Sequence, residues 1–175
     1  MMPTQRLKPA LRHVASCALV ATCVLSALPG LAMASPETEA RNRQIVTEAF
    51  ERWQAGGTTF FQDVLSPDVV WTIEGSGPSA GRYEGREALV ERAVRPLVAR
   101  LAGPIRPVEK TVWADGDHVI VRWEGVATAR DGQPYVNRYA WILRMQDGRA
   151  VEVTAFLDLP AYDEVLRRVP AAVAP

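Results

Sequence analysis

Cysteine is nearly absent from this 175-residue chain: its two thiols, Cys17 and Cys23, both lie close to the start. Beyond them no disulfide, cysteine nucleophile or zinc–thiolate site can form. Histidine is equally scarce, with His13 near the start and His118 beside the turn sequence Asp115-Gly116-Asp117. One His without a clustered carboxylate motif is too little for a metal centre, so neither a metal nor another cofactor is expected. Excess charge of either sign is also missing, with 20 basic and 20 acidic side chains. Nucleic acid is therefore not an expected partner. No apolar run reaches the ~20 residues of a membrane span. The glycines around Gly77-Pro78-Ser79-Ala80-Gly81 lack the Lys-Ser/Thr ending of a phosphate loop. The same segment matches G-x-S-x-G in letters only, because a nucleophile elbow needs a large parallel sheet and a downstream His.

Residues 1–34 read as a secretory signal peptide. Arg6, Lys8 and Arg12 form a basic start, Val14 to Leu28 is a short apolar stretch, and Ala32-Met33-Ala34 is an A-x-A cleavage pattern. Cleavage after Ala34 would leave 17 bases against 20 acids, a net charge of −3. The expected location is periplasmic or secreted, with no membrane attachment after cleavage. One domain is expected over 35–169, followed by a flexible tail at 170–175.

The most informative stretch is Tyr135 to Asp158, two alternating runs around Asp147-Gly148, which suits a tight hairpin. Tyr135, Asn137, Tyr139, Trp141 and Leu143 share one face of the first run. If Gln146 pairs with Arg149, then Leu143 meets Glu152, Trp141 meets Thr154, Tyr139 meets Phe156 and Asn137 meets Asp158. An analogous count across Asp131-Gly132 pairs Arg130 with Gln133, Glu124 with Tyr139, and Arg122 with Trp141. A one-residue slip would invert these faces. As counted, one face combines aromatics with carboxylates and an amide, the composition of a small-molecule pocket.

The rest of the chain supplies helices and further strands. Ser35-Pro36-Glu37 is a helix start, with Ile45, Val46, Ala49, Phe50 and Trp53 forming an apolar stripe before Gly56-Gly57. Phe60 to Leu65 reads as a short helix and Val69 to Ile73 as a strand. Gly75 to Gly81 reads as a loop. Arg86 to Leu101 reads as a helix that Pro96 should kink or split. Strands follow at Val108–Ala114 and Val119–Thr128, then the hairpin, then a helix from Ala161 to Val169. Strands joined by short turns with helices on one face define an α+β fold.

Asp158 is a candidate proton-transfer group if burial raises its pKa, with Asn137 as its holder or a carbonyl ligand. It equally suits capping of the final helix. Glu152 and Glu124, with Arg122, read either as acid–base groups and an anion clamp or as cross-strand ion pairs. Phe50, Trp53, Trp71, Tyr139, Trp141 and Phe156 could wall a cavity or simply pack a core. Tyr139 stands out because a buried phenol needs a partner and can donate to a carbonyl or enolate.

The motifs Trp71-Thr72-Ile73-Glu74-Gly75, Tyr83-x-Gly85-Arg86-Glu87-Ala88, Asp115-Gly116-Asp117, Tyr135-x-Asn137-Arg138-Tyr139-x-Trp141 and Asp147-Gly148-Arg149 through Phe156-x-Asp158 resemble the SnoaL-like and ketosteroid isomerase-related branch of the nuclear transport factor 2-like superfamily. The resemblance runs from about Arg41 to Val169. It implies an α+β cone, a curved antiparallel sheet wrapped around N-terminal helices with a cavity inside, and often a homodimer. It implies a small apolar or cyclic ligand, with either cofactor-free acid–base catalysis of isomerase, cyclase or hydrolase type or non-catalytic binding. In the catalytic case Asp158 or Glu152 is the expected base and Tyr139 or Asn137 the donor. Ketosteroid isomerases carry a Tyr on the first helix where this chain offers Phe50 and Trp53. Their base is an Asp near the first strand, where the nearest acid here is Glu74. The Asp-Arg-Asp set of related epoxide hydrolases lacks its second Asp.

Overall fold

A computed structural model describes residues 35–171. The expected signal peptide and most of the tail lie outside these residues. Helix α1, Pro36–Gln54, starts as its sequence dictates: the Ser35 hydroxyl accepts from the Thr38 amide at 3.2 Å, and Glu37 and Glu39 sit in the positive first turn. Its buried stripe is Asn42, Val46, Ala49 and Phe50. The short α2, Phe60–Val64, runs directly into β1, Leu65–Ile73. Gly81–Glu84, expected as connection, is strand β2 and pairs antiparallel with β1.

The next helix splits before its proline. It consists of α3, Arg86–Leu89, a π-helical turn at Val90–Val94, and α4, Arg95–Val98. Pro96 has no amide to give the carbonyl four residues back, and the Arg95 amide reaches back to Val90 instead. The strand-rich half is β3 (Arg106–Asp115), β4 (His118–Thr128), β5 (Pro134–Gln146) and β6 (Arg149–Leu157), closed by α5 (Leu159–Arg168). The six strands form one sheet in the order β2-β1-β6-β5-β4-β3, antiparallel except where β1 meets β6. Its inner face packs on α1 and α2, giving an α+β fold with a single large aromatic core and a smaller cluster around α4 and α5.

Two registers differ from the sequence expectation by one residue. The Asp147-Gly148 turn forms as expected, with φ of 51° and 77° and Gln146 opposite Arg149. Between Met145↔Ala150 and Arg144↔Glu152, however, Val151 is an extra residue. That bulge reverses the rest of β6. Trp141 therefore pairs with Ala155, Tyr139 with Leu157 and Leu143 with Val153, while Glu152 and Phe156 turn outward. The β4–β5 connection is longer than two residues, with Thr128 opposite Pro134. Ala129 bridges to Leu101, the Arg130 amide bonds the Arg100 carbonyl, and the Ala129 amide bonds the Gln133 carbonyl at 2.8 Å, so the pairing runs on one step further and the turn is wider than two residues. Trp123 consequently faces Tyr139, and Arg122 and Glu124 lie on the outer face, paired with Glu109 at 3.3 Å and Arg138 at 3.0 Å.

Asp158 is exposed and caps α5, accepting from the Ala161 amide at 3.2 Å. Replacing it by Ala should cost about 1 kcal/mol, a few degrees of Tm, whereas Asp158→Asn should melt like the parent because Asn caps equally well. Thermal unfolding followed by circular dichroism checks this; equal losses in both variants would show that the carboxylate does more than cap.

Candidate functional site

A cavity of about 300 Å³ lies between the inner sheet face and the helices. Its sheet wall comes from Trp71 and Ile73 on β1, Trp123 on β4, Tyr139 and Trp141 on β5, and Ala155 and Leu157 on β6. The opposite wall is the helix interrupted before Pro96, through Leu89, Val90, Ala93, Val94, Leu97 and Val98, with Tyr162 of α5 behind it. Trp53, Phe60 and Phe61 close one end. Thr58, Gln62, Val98 and Pro104 are the exposed lining residues and mark the mouth. The π-helical turn matters here because it sets which side chains this wall presents.

The aromatic rings are packed in register. Trp123 stacks on Tyr139 with centroids 4.0 Å apart and planes 10° from parallel. Trp141 meets Trp71 edge-on at 5.0 Å and Trp123 at 4.8 Å. Ala155 on the strand between Trp71 and Trp141 is small, which leaves room for both rings. Gly125 serves the same end: a Cβ there would come within 2.7 Å of the Trp123 ring. The Trp123 N–H is buried without a nitrogen or oxygen acceptor, and the Trp123 ring meets those of Phe50 and Trp141 edge-on.

Behind the cavity runs a polar chain. The Tyr139 and Tyr135 hydroxyls are 2.8 Å apart, and Asn137 Nδ2 donates to the Tyr135 hydroxyl at 3.1 Å. Asn137 also donates to the Asp158 carbonyl at 2.9 Å and accepts from the Asp158 amide at 2.9 Å. Its side chain thus extends the sheet ladder past the end of β6, and it holds the backbone of Asp158, not its carboxylate. Burial pushes the Tyr135 phenol up to about 12, and the phenols of Tyr139 and Tyr162 are also raised, again chiefly by burial. Tyr162 donates to the Ala93 carbonyl in the π-helical turn.

Of the residues the sequence singled out, Trp53, Trp71, Tyr139 and Trp141 line the cavity. Phe50 is fully buried beneath it, against Trp53, Phe60, Trp123 and Trp141. Asn137 supports Tyr139 through Tyr135. Asp158 sits at the head of α5, and Arg122, Glu124, Glu152 and Phe156 are on the far side of the sheet, Glu152 pairing with Arg144 at 3.2 Å. Trp123 and Tyr162 were missed, and Tyr135, although placed on the inward face, was not counted among the site residues. The four-residue spacing of Tyr135 and Tyr139 on one strand put both on the inward face, as the sequence reading had it. Trp123 was hidden by the misjudged register. No Asp, Glu, His, Lys or Arg lines the cavity, and no cluster of potential metal ligands occurs among the described residues.

The curved mixed sheet, its helices and the cavity between them define a cystatin-like α+β cone of the nuclear transport factor 2-like type. The SnoaL-like domain family matches residues 46–153, and the chain belongs to that family. Among solved structures it is similar to Bal32a from a soil-derived mobile gene cassette, at 22% identity over 74% of this chain and 99% of that one, TM-score 0.62. It is also similar to a protein provisionally assigned as a SnoaL-like polyketide cyclase from Jannaschia sp. CCS1, at 20% identity over 78% and 97%, TM-score 0.60. A third, TerC co-crystallised with polyporic acid, is 18% identical over 73% and 98%, TM-score 0.59. At these identities the likeness is one of fold. No curated protein matches the sequence.

The raised phenols have a consequence for stability at alkaline pH. Above the ordinary value of 10.0 the unfolded chain loses phenolic protons that the folded chain keeps, so this stabilisation is complete below pH 10 and falls as pH rises towards about 12. Absorbance at 295 nm should show Tyr135, Tyr139 and Tyr162 ionising only together with cooperative unfolding. Phenolate appearing near pH 10 while near-ultraviolet circular dichroism stays native would contradict the burial argument.

Proposed function

We propose that this domain binds one small apolar or cyclic molecule in its aromatic cavity, and acts as a binder, not an acid–base catalyst. The observation that carries this reading is the lining: aromatic and aliphatic side chains, with the polar Thr58 and Gln62 at the mouth and no carboxylate, imidazole or amine among them. Apolar surface of this kind favours a ligand through the area it removes from water. Proton transfer needs a base within hydrogen-bond reach of the reacting carbon or oxygen. The Asp158 carboxylate is engaged at the α5 amide and Glu152 lies across the sheet, so neither serves that purpose inside the cavity. Crystallisation of the similarly folded TerC with polyporic acid is consistent with ligand binding on this scaffold.

The neutral fluorophore N-phenyl-1-naphthylamine should bind the full chain saturably, one per chain, with blue-shifted emission. Ala93→Phe, which places a ring in the cavity from the helical wall, should weaken binding at least about tenfold, the loss expected when a site's apolar contact area is filled. Non-saturable binding, or binding indifferent to Ala93→Phe, would remove this reading.

We further infer a homodimer formed through the outer sheet face. That face exposes Trp113 and Phe156 at 49% and 46%, beside the partly buried Ile120 and Ile142, with Arg–Glu pairs arrayed between them. Exposed aromatics flanked by charge of both signs suit a self-complementary, two-fold contact. Sedimentation velocity should give twice the chain mass for the parent and a monomer for Trp113→Glu; a monomeric parent at tens of micromolar would rule the dimer out.

A further inference from the structure

The mouth of the cavity is framed by two segments that are fastened differently. Thr58 and Gln62 come from α2 and the residues before it, Val98 and Pro104 from the end of α4 and the turn that follows. The α2 side is riveted. The carbonyls at its end lack helical amides, and arginines from two other elements take them instead. Arg149 Nη1 donates to the Gln62 and Asp63 carbonyls at 2.5 and 3.2 Å, and Arg86 Nη1 donates to those of Gln62 and Leu65 at 3.3 and 3.2 Å. Arg52 on α1 pairs with the Asp63 carboxylate at 3.3 Å. Phe60 and Val64 are buried beneath.

The opposite side is a strap. It is fixed where it starts, by Arg86 and by the packing of α3 on β1 and β2. It is fixed where it ends, by Arg100 Nε on the Val169 carbonyl and by the Ala102 amide on the Thr128 carbonyl, both at 2.8 Å. Between these anchors Val90, Ala93, Val94, Leu97 and Val98 face the cavity. Pro96 removes one helical amide there, and the π-helical turn replaces tight helical rings by a wider one. Among the described residues outside the strap, one donor reaches it: the Tyr162 hydroxyl, on the Ala93 carbonyl. Packing of Ala93 and Leu97, and the Arg92 guanidinium 5.4 Å from the Tyr83 ring, add to that single bond.

A segment with so few bonds to its surroundings, and a cavity behind it, opens at lower free energy than the whole domain unfolds. We infer that Val90–Val98 is the moving wall of the cavity, swinging outward between its anchors to admit and release the ligand, with the Tyr162 hydroxyl as its latch. Val98 lies at the free edge of this wall, 45% exposed, so an outward swing widens the mouth while α2 stays in place. Tyr162 is thus a positioning residue, acting through the Ala93 carbonyl. This rests on the cavity-binding reading and adds the route by which the cavity fills.

Stopped-flow fluorescence of N-phenyl-1-naphthylamine on the full chain gives the exchange rates. Hydrogen–deuterium exchange read by mass spectrometry gives the opening of the strap without a ligand. The Val90–Val98 amides should exchange faster than those of β5, and slow when the probe is bound. Tyr162→Phe keeps the ring and removes the latch. It should raise association and dissociation rates together by about tenfold, the effect of one buried hydrogen bond lost from the closed form, with Kd unchanged within about threefold. Ser35→Ala, which lowers stability at the start of α1, should leave both rates at the parental values. Faster dissociation matched by an equal weakening of Kd would reduce Tyr162 to a ligand contact and overturn the strap. Val90–Val98 amides as protected as those of β5 would overturn it too, an outcome read on the parent even if Tyr162→Phe fails to fold. Absence of saturable probe binding by the parent would overturn the cavity reading instead, and the exchange measurement would still decide the strap.

Discussion

The structure depends on the register of β5. This strand places Tyr135, Asn137, Tyr139 and Trp141 on the inner face, and its two neighbours determine what those side chains meet. On one side the Val151 bulge brings Ala155 and Leu157 opposite Trp141 and Tyr139, and Val153 opposite Leu143. On the other, the long corner anchored at Leu101 brings Trp123 opposite Tyr139. Had either pairing slipped back by one residue, Glu152 and Phe156 or Arg122 and Glu124 would have entered the interior. A charge there would need a buried partner that the helices do not offer, at a desolvation cost of several kcal/mol for each ion. The apolar character of the cavity is thus a consequence of register.

The helical wall is adjusted to the same space. Pro96 denies one amide to the helix, the turn before it widens, and Tyr162 satisfies the Ala93 carbonyl from outside. This ties α5 to the wall, while the Asp158 cap and the Asn137 bridge tie the start of α5 to β5. Residues that looked catalytic in the sequence therefore have a mechanical role. Asn137 closes the end of the ladder where β6 stops, and it orders the hydroxyls of Tyr135 and Tyr139 at the same time.

Much of the fold was legible because its signals are local. The Ser35 cap, the Asp147-Gly148 turn, the amphipathic stripe of α1 and the disruption at Pro96 each follow from a few neighbouring residues acting through backbone geometry. The inward side of β5 was legible too, since alternation along one strand needs no knowledge of its partners. So were the cavity aromatics Trp53, Trp71, Tyr139 and Trp141.

The partners of β5 were decided elsewhere. A single extra residue at Val151 has no sequence signature, and the corner at Ala129 is set by contact with Leu101 and Arg100, about thirty residues earlier in the chain. Counting outward from a turn cannot detect either, and each error of one residue inverts a whole face. The amino-acid order by itself determined which elements form and which aromatics look inward. Only the tertiary structure decided that the carboxylates and arginines look outward, because side-chain direction in a sheet alternates residue by residue while pairing is chosen by distant contacts.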